Sequence, residues 1–123
     1  MTNGAGDVAF PLLEHCRSLP GSTEDIKWEH DLVFSVGGKM YAAFDPAKPD
    51  TPSFKCDVPD FLRLTAVDGI RPAAYLARAG WVSLERPDAL PIEETQALLT
   101  RSHDLVVARL PKRIRAGLVE PPG

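Results

Sequence analysis

The run from Leu32 to Phe44, LVFSVGGKMYAAF, constrains the fold more than any other stretch of this sequence. Two segments rich in β-branched and aromatic residues flank Gly37-Gly38. Paired glycines can take the positive φ angles that a two-residue type I′ turn requires. The run therefore predicts a β-hairpin in which Val36 lies opposite Lys39.

Alternation along this hairpin predicts which residues share a face. Phe34 is expected opposite Tyr41, and Leu32 opposite Ala43, on one face of the hairpin. The other face is expected to carry Val33, Ser35, Met40 and Ala42. Because an isolated hairpin is only marginally stable in water, other elements must cover at least one of these faces.

The rest of the chain predicts short elements separated by proline and glycine. Residue 57 is an aspartate that can cap the second helix, and Asp7 can cap the first. Residues 45–52 contain three prolines and are expected to form a loop, and residues 70–72 an extended link. Helices are expected over residues 8–19, 58–66 and 92–110, with shorter helical turns over 73–78 and 112–118. Further strands are expected over residues 22–30, 53–56 and 81–84.

The order of these elements favours an α+β fold over a parallel sheet. Strands joined by hairpins, with helices at both ends of the chain, do not alternate as βαβ units must. We therefore expect a single antiparallel sheet of about five strands, with helices packed mainly on one face. The length of 123 residues fits one domain over residues 1–123, with a core over about 8–118 and frayed termini.

Composition indicates an intracellular protein. No apolar run reaches the roughly 18 to 20 residues of a membrane span, and the first residues lack the pattern of a signal peptide. We expect a cytoplasmic location and no contact with a membrane. Cys16 and Cys56 are expected to be reduced, and no cysteine or histidine spacing indicates a zinc site.

The charge is unevenly distributed along the chain. The net charge is −3, yet residues 1–61 carry −5 and residues 62–123 carry +2. A protein of this net charge is not a strongly basic nucleic-acid binder, so any such surface must be a local patch. The candidate patch near the C-terminus comprises Arg109, Lys112, Arg113 and Arg115.

Candidate catalytic groups are sparse. His15, His30 and His103 are scattered singly, which is not typical of a metal site. Cys56 could pair with a histidine as a nucleophile, but a buried strand thiol is the favoured interpretation. Gly37-Gly38-Lys39 leads into a strand rather than a helix, so it does not form a phosphate loop. No enzyme activity, metal or cofactor is expected.

A set of motifs spans nearly all of residues 10–118, including Leu19-Pro20-Gly21, Val33 to Met40, Phe54 to Asp57, Trp81, Ser102-His103 and Leu110-Pro111-Lys112. Together these motifs resemble the MmcQ/YjbR family. The resemblance implies a frataxin-like or secretion-chaperone-like α+β fold and a DNA-binding function tied to a "double wing" arrangement. The family usually has an Asn-Lys pair and a histidine just before the tryptophan, where this chain has Ala77, Arg78 and Gly80.

The leading hypothesis is a non-enzymatic cytoplasmic protein of this type that binds DNA, with a monomer favoured. Trp28, Tyr41 and Trp81 could stack on bases if they are exposed. The expected DNA contacts are Lys39, Lys55, Arg71, Arg78, Lys112, Arg113 and Arg115.

Two alternatives stay open. A protein-interaction or chaperone-like module would hold a protein partner on the open sheet face around Val33, Ser35 and Met40, or on an edge strand. A small-ligand binder or enzyme would require a deep pocket that gathers Tyr75, Trp81 and His30.

Overall fold

A computed structural model describes residues 10–119 of the chain. It consists of one antiparallel sheet of six strands in the order β1-β2-β3-β4-β6-β5, with helices packed on one face. The expected cap Asp7, the helical start at Val8 and the outermost termini lie outside the described residues. The strands are β1 Ser22–Lys27, β2 Asp31–Val36, β3 Lys39–Asp45, β4 Lys48–Lys55, β5 Ile70–Pro72 and β6 Trp81–Leu84. The helices are α1 Pro11–Ser18, α2 Val58–Thr65, α3 Ile92–Val107 and α4 Lys112–Val119, with 3₁₀ turns at Ala77–Ala79 and Pro87–Ala89.

The fold class agrees with the α+β prediction, but two of the expected connections are strands. Residues 45–52 were expected to form a loop, and this is wrong because β4 begins at Lys48 and pairs with β3. Only residues 53–55 of β4 also pair with β6, so its proline-containing first half needs hydrogen bonds on one side alone. The link at residues 70–72 is likewise an edge strand, β5, paired with β6.

The Gly37-Gly38 hairpin forms as predicted, but its register changes within three residues. Val36 lies opposite Lys39, and Ser35 lies opposite Met40. A β-bulge between Phe34 and Ser35 then leaves Tyr41 without a partner, so Phe34 pairs with Ala42. The predicted pairs Phe34–Tyr41 and Leu32–Ala43 are therefore wrong.

The bulge places Tyr41 and Ala42 together in the core. Two consecutive residues on one strand share a face only where alternation is interrupted, as a bulge does. The Tyr41 hydroxyl lies 2.6 Å from Ser22 Oγ and donates a hydrogen bond to the Cys16 carbonyl. The Tyr41 carbonyl accepts a hydrogen bond from Ser102 Oγ at 2.7 Å. Both the hydroxyl and the backbone carbonyl of the bulged residue therefore have hydrogen-bond partners.

The core lies between the sheet and its helices. Fully buried Phe34, Phe44 and Phe54 project from the strands toward the helices. α1 contributes Leu12 and Cys16, and the other helices complete the cluster. Residues that α2 and α3 add are Leu64, Leu98, Leu99 and Val106. Burial of these large side chains is the main favourable contribution to folding.

Helix α2 begins as the sequence predicts. The Asp57 carboxylate accepts a hydrogen bond from the backbone N–H of Asp60 at 3.0 Å, as an N-cap does. The Arg101 guanidinium also pairs with Asp57 and, as the largest influence, holds the pKa of that carboxyl below its usual range. Among the described residues, no helix is long and apolar enough to cross a membrane.

Candidate nucleic-acid interface

A groove lined by cations lies where the β2–β3 hairpin meets the connection between α3 and α4. We call it the basic groove. It has a volume of about 470 Å³ and is lined by Lys39, Lys55 and Arg109. Apolar lining comes from Met40, Leu76, Trp81 and Leu110. Within residues 10–119, no acidic side chain lines this groove, so its polar character is entirely cationic.

The glycine turn brings two of these cations to the same groove. A Cβ atom at Gly37 would lie 2.6 Å from Leu110 Cδ1, closer than packed carbon atoms allow. A larger residue would therefore require Leu110 to shift, and the φ of +59° at Gly37 is one that glycine takes readily. Lys39 follows this turn and Arg109 precedes Leu110. The contact thus brings the neighbours Lys39 and Arg109 to the same groove.

Lys55 reaches the groove from the end of β4. Its backbone N–H donates to Ser102 Oγ at 3.0 Å, and its Nζ donates to the Ala79 carbonyl at 2.8 Å. These two bonds fix the side chain against the 3₁₀ turn Ala77–Ala79. An ammonium group has three donors, so two remain for a bound oxygen atom.

Ion pairing distinguishes the groove cations from several surface arginines. Lys39, Lys55 and Arg109 form no ion pair with any residue between 10 and 119. Five arginines elsewhere are paired with carboxylates, namely Arg17, Arg63, Arg71, Arg86 and Arg101. Unpaired cations on an apolar floor retain their full attraction for an anion such as a phosphate.

The structure divides the seven DNA contacts expected from the sequence into four groups. Lys39 and Lys55 line the basic groove. Exposed Arg78 lies on the 3₁₀ turn next to Ala79, which lines the groove. Arg71 lines a different cleft and pairs with Glu85 at 3.2 Å. The remaining three, Lys112, Arg113 and Arg115, lie on α4, which follows the groove residue Pro111.

Arg109 belongs to the groove but was not among the expected contacts. It was assigned to the C-terminal basic patch by its place in the sequence. The missing information was the packing of the hairpin turn on Leu110, which joins residues 37 and 110 across the fold. Two glycines in a turn predict the turn, whereas nothing in their spacing identifies the residue on which it rests.

The candidate catalytic residues are engaged in structural contacts. His103 is buried, with Nε2 2.7 Å from the Pro20 carbonyl and its ring against Tyr41. His15 Nε2 lies 2.7 Å from Thr100 Oγ1, and burial lowers its pKa. Burial is also the main cause that raises the pKa of both Cys16 and Cys56 to about 12. At neutral pH these thiols are therefore protonated and weakly nucleophilic.

Residues expected on an open sheet face, or as stacking aromatics, are mostly buried. Val33 is 1% exposed and Ser35 is 9% exposed, while Met40 lines the basic groove. Tyr41 and Trp81 are also buried, so neither presents its ring to a base from solvent. Trp28 is 54% exposed and lies in the turn between β1 and β2.

The three residues that a small-ligand or enzyme site would gather do not meet in either the basic groove or the cleft that contains Tyr75. Tyr75 and Trp81 line different clefts, and His30 lines neither of them. Among the described residues, no three histidine, cysteine or acidic side chains are arranged to hold a metal ion.

Comparison with known proteins identifies the family. The YjbR family model matches residues 17–105, which include the hairpin and most of α3. The crystal structure of the Deinococcus radiodurans protein DR2400, with the family-model domain DUF419, superposes with a TM-score of 0.79. The two chains are 29% identical in sequence, and the match covers 89% of this chain and 86% of the other. No curated protein matches the chain. The family model spans well over half of the chain, which therefore belongs to the YjbR family.

Proposed function

We propose that this protein is a non-enzymatic, cytoplasmic DNA-binding protein that holds backbone phosphates in the basic groove. The observation that carries the proposal is the convergence of Lys39, Lys55 and Arg109 without a carboxylate among the described residues of the groove. Phosphate contacts of this kind supply most of the affinity of a protein for nucleic acid. The DNA-binding function implied by the resemblance noted above points the same way.

Helix α4 extends the cationic surface beyond the groove. Exposed Lys112 and Arg113 lie in its first turn, directly after Pro111 at the groove wall. Leu118 of α4 packs against Gly21, where a Cβ atom would overlap its side chain. The helix is thus held against the body of the protein, and its first-turn cations keep a defined position relative to the groove.

Two observations support the non-enzymatic, cytoplasmic part of the proposal. The histidines and thiols considered above as candidate catalytic groups are engaged in packing or hydrogen bonds. Cys16 and Cys56 are both free and buried, which is typical of a protein in a reducing compartment.

The test compares DNA binding by the full chain and by charge-reversed variants across a salt series. With five cations available, the slope of log affinity against log salt is expected to be about −3 to −5. The double variant Lys39→Glu, Arg109→Glu is expected to weaken binding more than tenfold and to flatten the slope by about 2, roughly 1 per lost cation. Fluorescence anisotropy with a labelled oligonucleotide measures both quantities.

Lys48→Glu provides the matched control. Lys48 is exposed and begins β4, at the opposite end of the β3 hairpin arm from Lys39. Seven strand residues span about 20 Å, so Lys48 lies far from the groove. Lys48→Glu changes the net charge by as much as each substitution in the double variant does. It is nevertheless expected to leave the slope of log affinity against log salt nearly unchanged. Absence of binding at low salt, or equal loss in the Lys48 variant and the groove variant, would refute the proposal.

A further inference from the structure

A second cleft lies on the sheet face opposite the helices. We call it the aromatic cleft. It has a volume of about 560 Å³ and is lined by Trp28 and Tyr75, with Ala43, Ser53 and Ser83 contributed by the strands. This volume falls within the roughly 300 to 1,000 Å³ that is typical of sites for small organic groups. Small residues on the sheet leave the space that the aromatic residues flank.

The two aromatic residues are unusually placed. Trp28 is 54% exposed and Tyr75 is fully exposed, whereas tyrosine and tryptophan side chains are ordinarily packed. Both also have left-handed backbones, with φ of 51° and 67°. Bulky residues at such angles cost of order 1 to 3 kcal/mol and are concentrated at functional sites. An exposed, strained aromatic residue on each of two separate loops therefore marks this cleft as a candidate binding surface.

The aromatic cleft adjoins the basic groove. Leu76 lines both, so the two depressions meet at this residue. The aromatic cleft also offers hydrogen-bonding groups. Ser53 Oγ and Ser83 Oγ lie 2.6 Å apart, and one hydroxyl hydrogen of this pair stays available because each bond uses a single donor.

We infer that the nucleic acid is bound as a single strand, with its phosphates in the basic groove and an unpaired base in the aromatic cleft. This inference rests on the proposed function and adds the form of the ligand. A cationic track beside aromatic side chains is the arrangement that single strands require, since every base has a face that can stack. In a duplex the bases are already stacked and paired, so they cannot enter a cleft of this kind without being extruded.

The test measures the affinity of the full chain for a single-stranded oligonucleotide of about 12 nucleotides and for the corresponding duplex, at one salt concentration. The single strand is expected to bind at least tenfold more tightly. Trp28→Ala and Tyr75→Ala are each expected to weaken single-strand binding about tenfold, because a stacked base contributes roughly 1 to 3 kcal/mol. Duplex binding is expected to be unchanged by either substitution.

Conservative variants and fluorescence give an independent readout. Trp28→Phe and Tyr75→Phe keep a ring and are expected to retain most of the affinity. The chain has two tryptophans, and Trp81 is buried, so single-strand binding is expected to quench the emission of Trp28. That quenching should disappear in Trp28→Phe although the affinity persists. Ile26→Ala removes an exposed apolar side chain from β1 outside the aromatic cleft and is the matched control.

The outcomes separate this inference from the proposed function. Equal affinity for duplex and single strand, together with wild-type binding by Trp28→Ala and Tyr75→Ala, overturns the inference and leaves electrostatic DNA binding in place. Absence of binding to both forms overturns the two together.

Discussion

Two neighbouring rows of residues cross the whole sheet, one on each face, and they differ sharply in side-chain size. Each row takes one residue from every strand, and the two rows are one residue apart. The row on the helix-covered face is Glu24, Phe34, Ala42, Phe54, Val82 and Pro72. The row on the opposite face is Asp25, Val33, Ala43, Ser53, Ser83 and Arg71.

The comparison separates stability from recognition within the same strands. The first row places phenylalanine and valine against the helices, where they fill the core. The second row places alanine and serine at its centre, where they leave the aromatic cleft open. Both rows belong to the same strands, and they differ in the volume of the side chains at their centre, which is large on the packed face and small beside the aromatic cleft.

The largest expected effect comes from truncation in the covered row. Phe54 is fully buried, so Phe54→Ala is expected to lower the free energy of unfolding by about 3 to 5 kcal/mol. The loss combines the transfer energy of the ring with the cost of the cavity that remains. Urea unfolding followed by circular dichroism measures it. Phe54→Leu, which keeps much of the volume, is the control and should cost clearly less; an equal cost would show that volume is not what the covered row supplies.

An intermediate effect is expected at the bulge, where the alternation between the faces is interrupted. Ser102 is fully buried, donates to the Tyr41 carbonyl and accepts from the Lys55 N–H. Ser102→Ala leaves both buried backbone groups without this partner and is expected to cost about 2 kcal/mol. Thermal and urea unfolding measure the change.

Ser18 offers a matched control for that substitution. Its exposed hydroxyl donates to the His15 carbonyl at 2.6 Å, and water can replace it in Ser18→Ala. The expected cost of Ser18→Ala is below about 0.5 kcal/mol. If Ser102→Ala cost no more than this, the serine would not be what holds the bulge.

The bulge is also the point in the fold beyond which the sequence did not predict the strand pairing correctly. Gly37-Gly38 predicts the turn and the pair Val36–Lys39 because the required φ angles are local properties of glycine. The bulge at Tyr41 depends on Ser102, Ser22 and Cys16, which are distant in sequence. A local pattern contains no information about such partners, and one unpaired residue exchanges the faces of every residue beyond it.

The candidate site likewise depends on tertiary contacts that the sequence did not predict. The resemblance to a known family supplied the expectation of DNA contacts, which stays a prediction; Lys39 and Lys55 of that set line one groove. Arg109 joins them through the contact between Gly37 and Leu110. The spacing of residues in the sequence does not predict this contact. Tyr75 was assigned to a short helical segment, whereas its positive φ and full exposure are results of tertiary structure.

The smallest expected effect is in the row on the face opposite the helices, which we call the open row. It tests directly whether the two rows differ in their contribution to stability. Ser53 and Ser83 pair through their hydroxyls, one residue along each strand from the buried pair Phe54–Val82. Ser53→Ala and Ser83→Ala are each expected to cost less than about 1 kcal/mol, with a coupling of about 0.5 kcal/mol in the double variant. A double-mutant cycle by urea unfolding measures these terms. If the pair instead cost as much as Phe54→Ala, the open row would be a second core and the aromatic cleft a packing defect. If the double variant stays folded but binds a single strand less tightly, the two rows differ in role as well as in size.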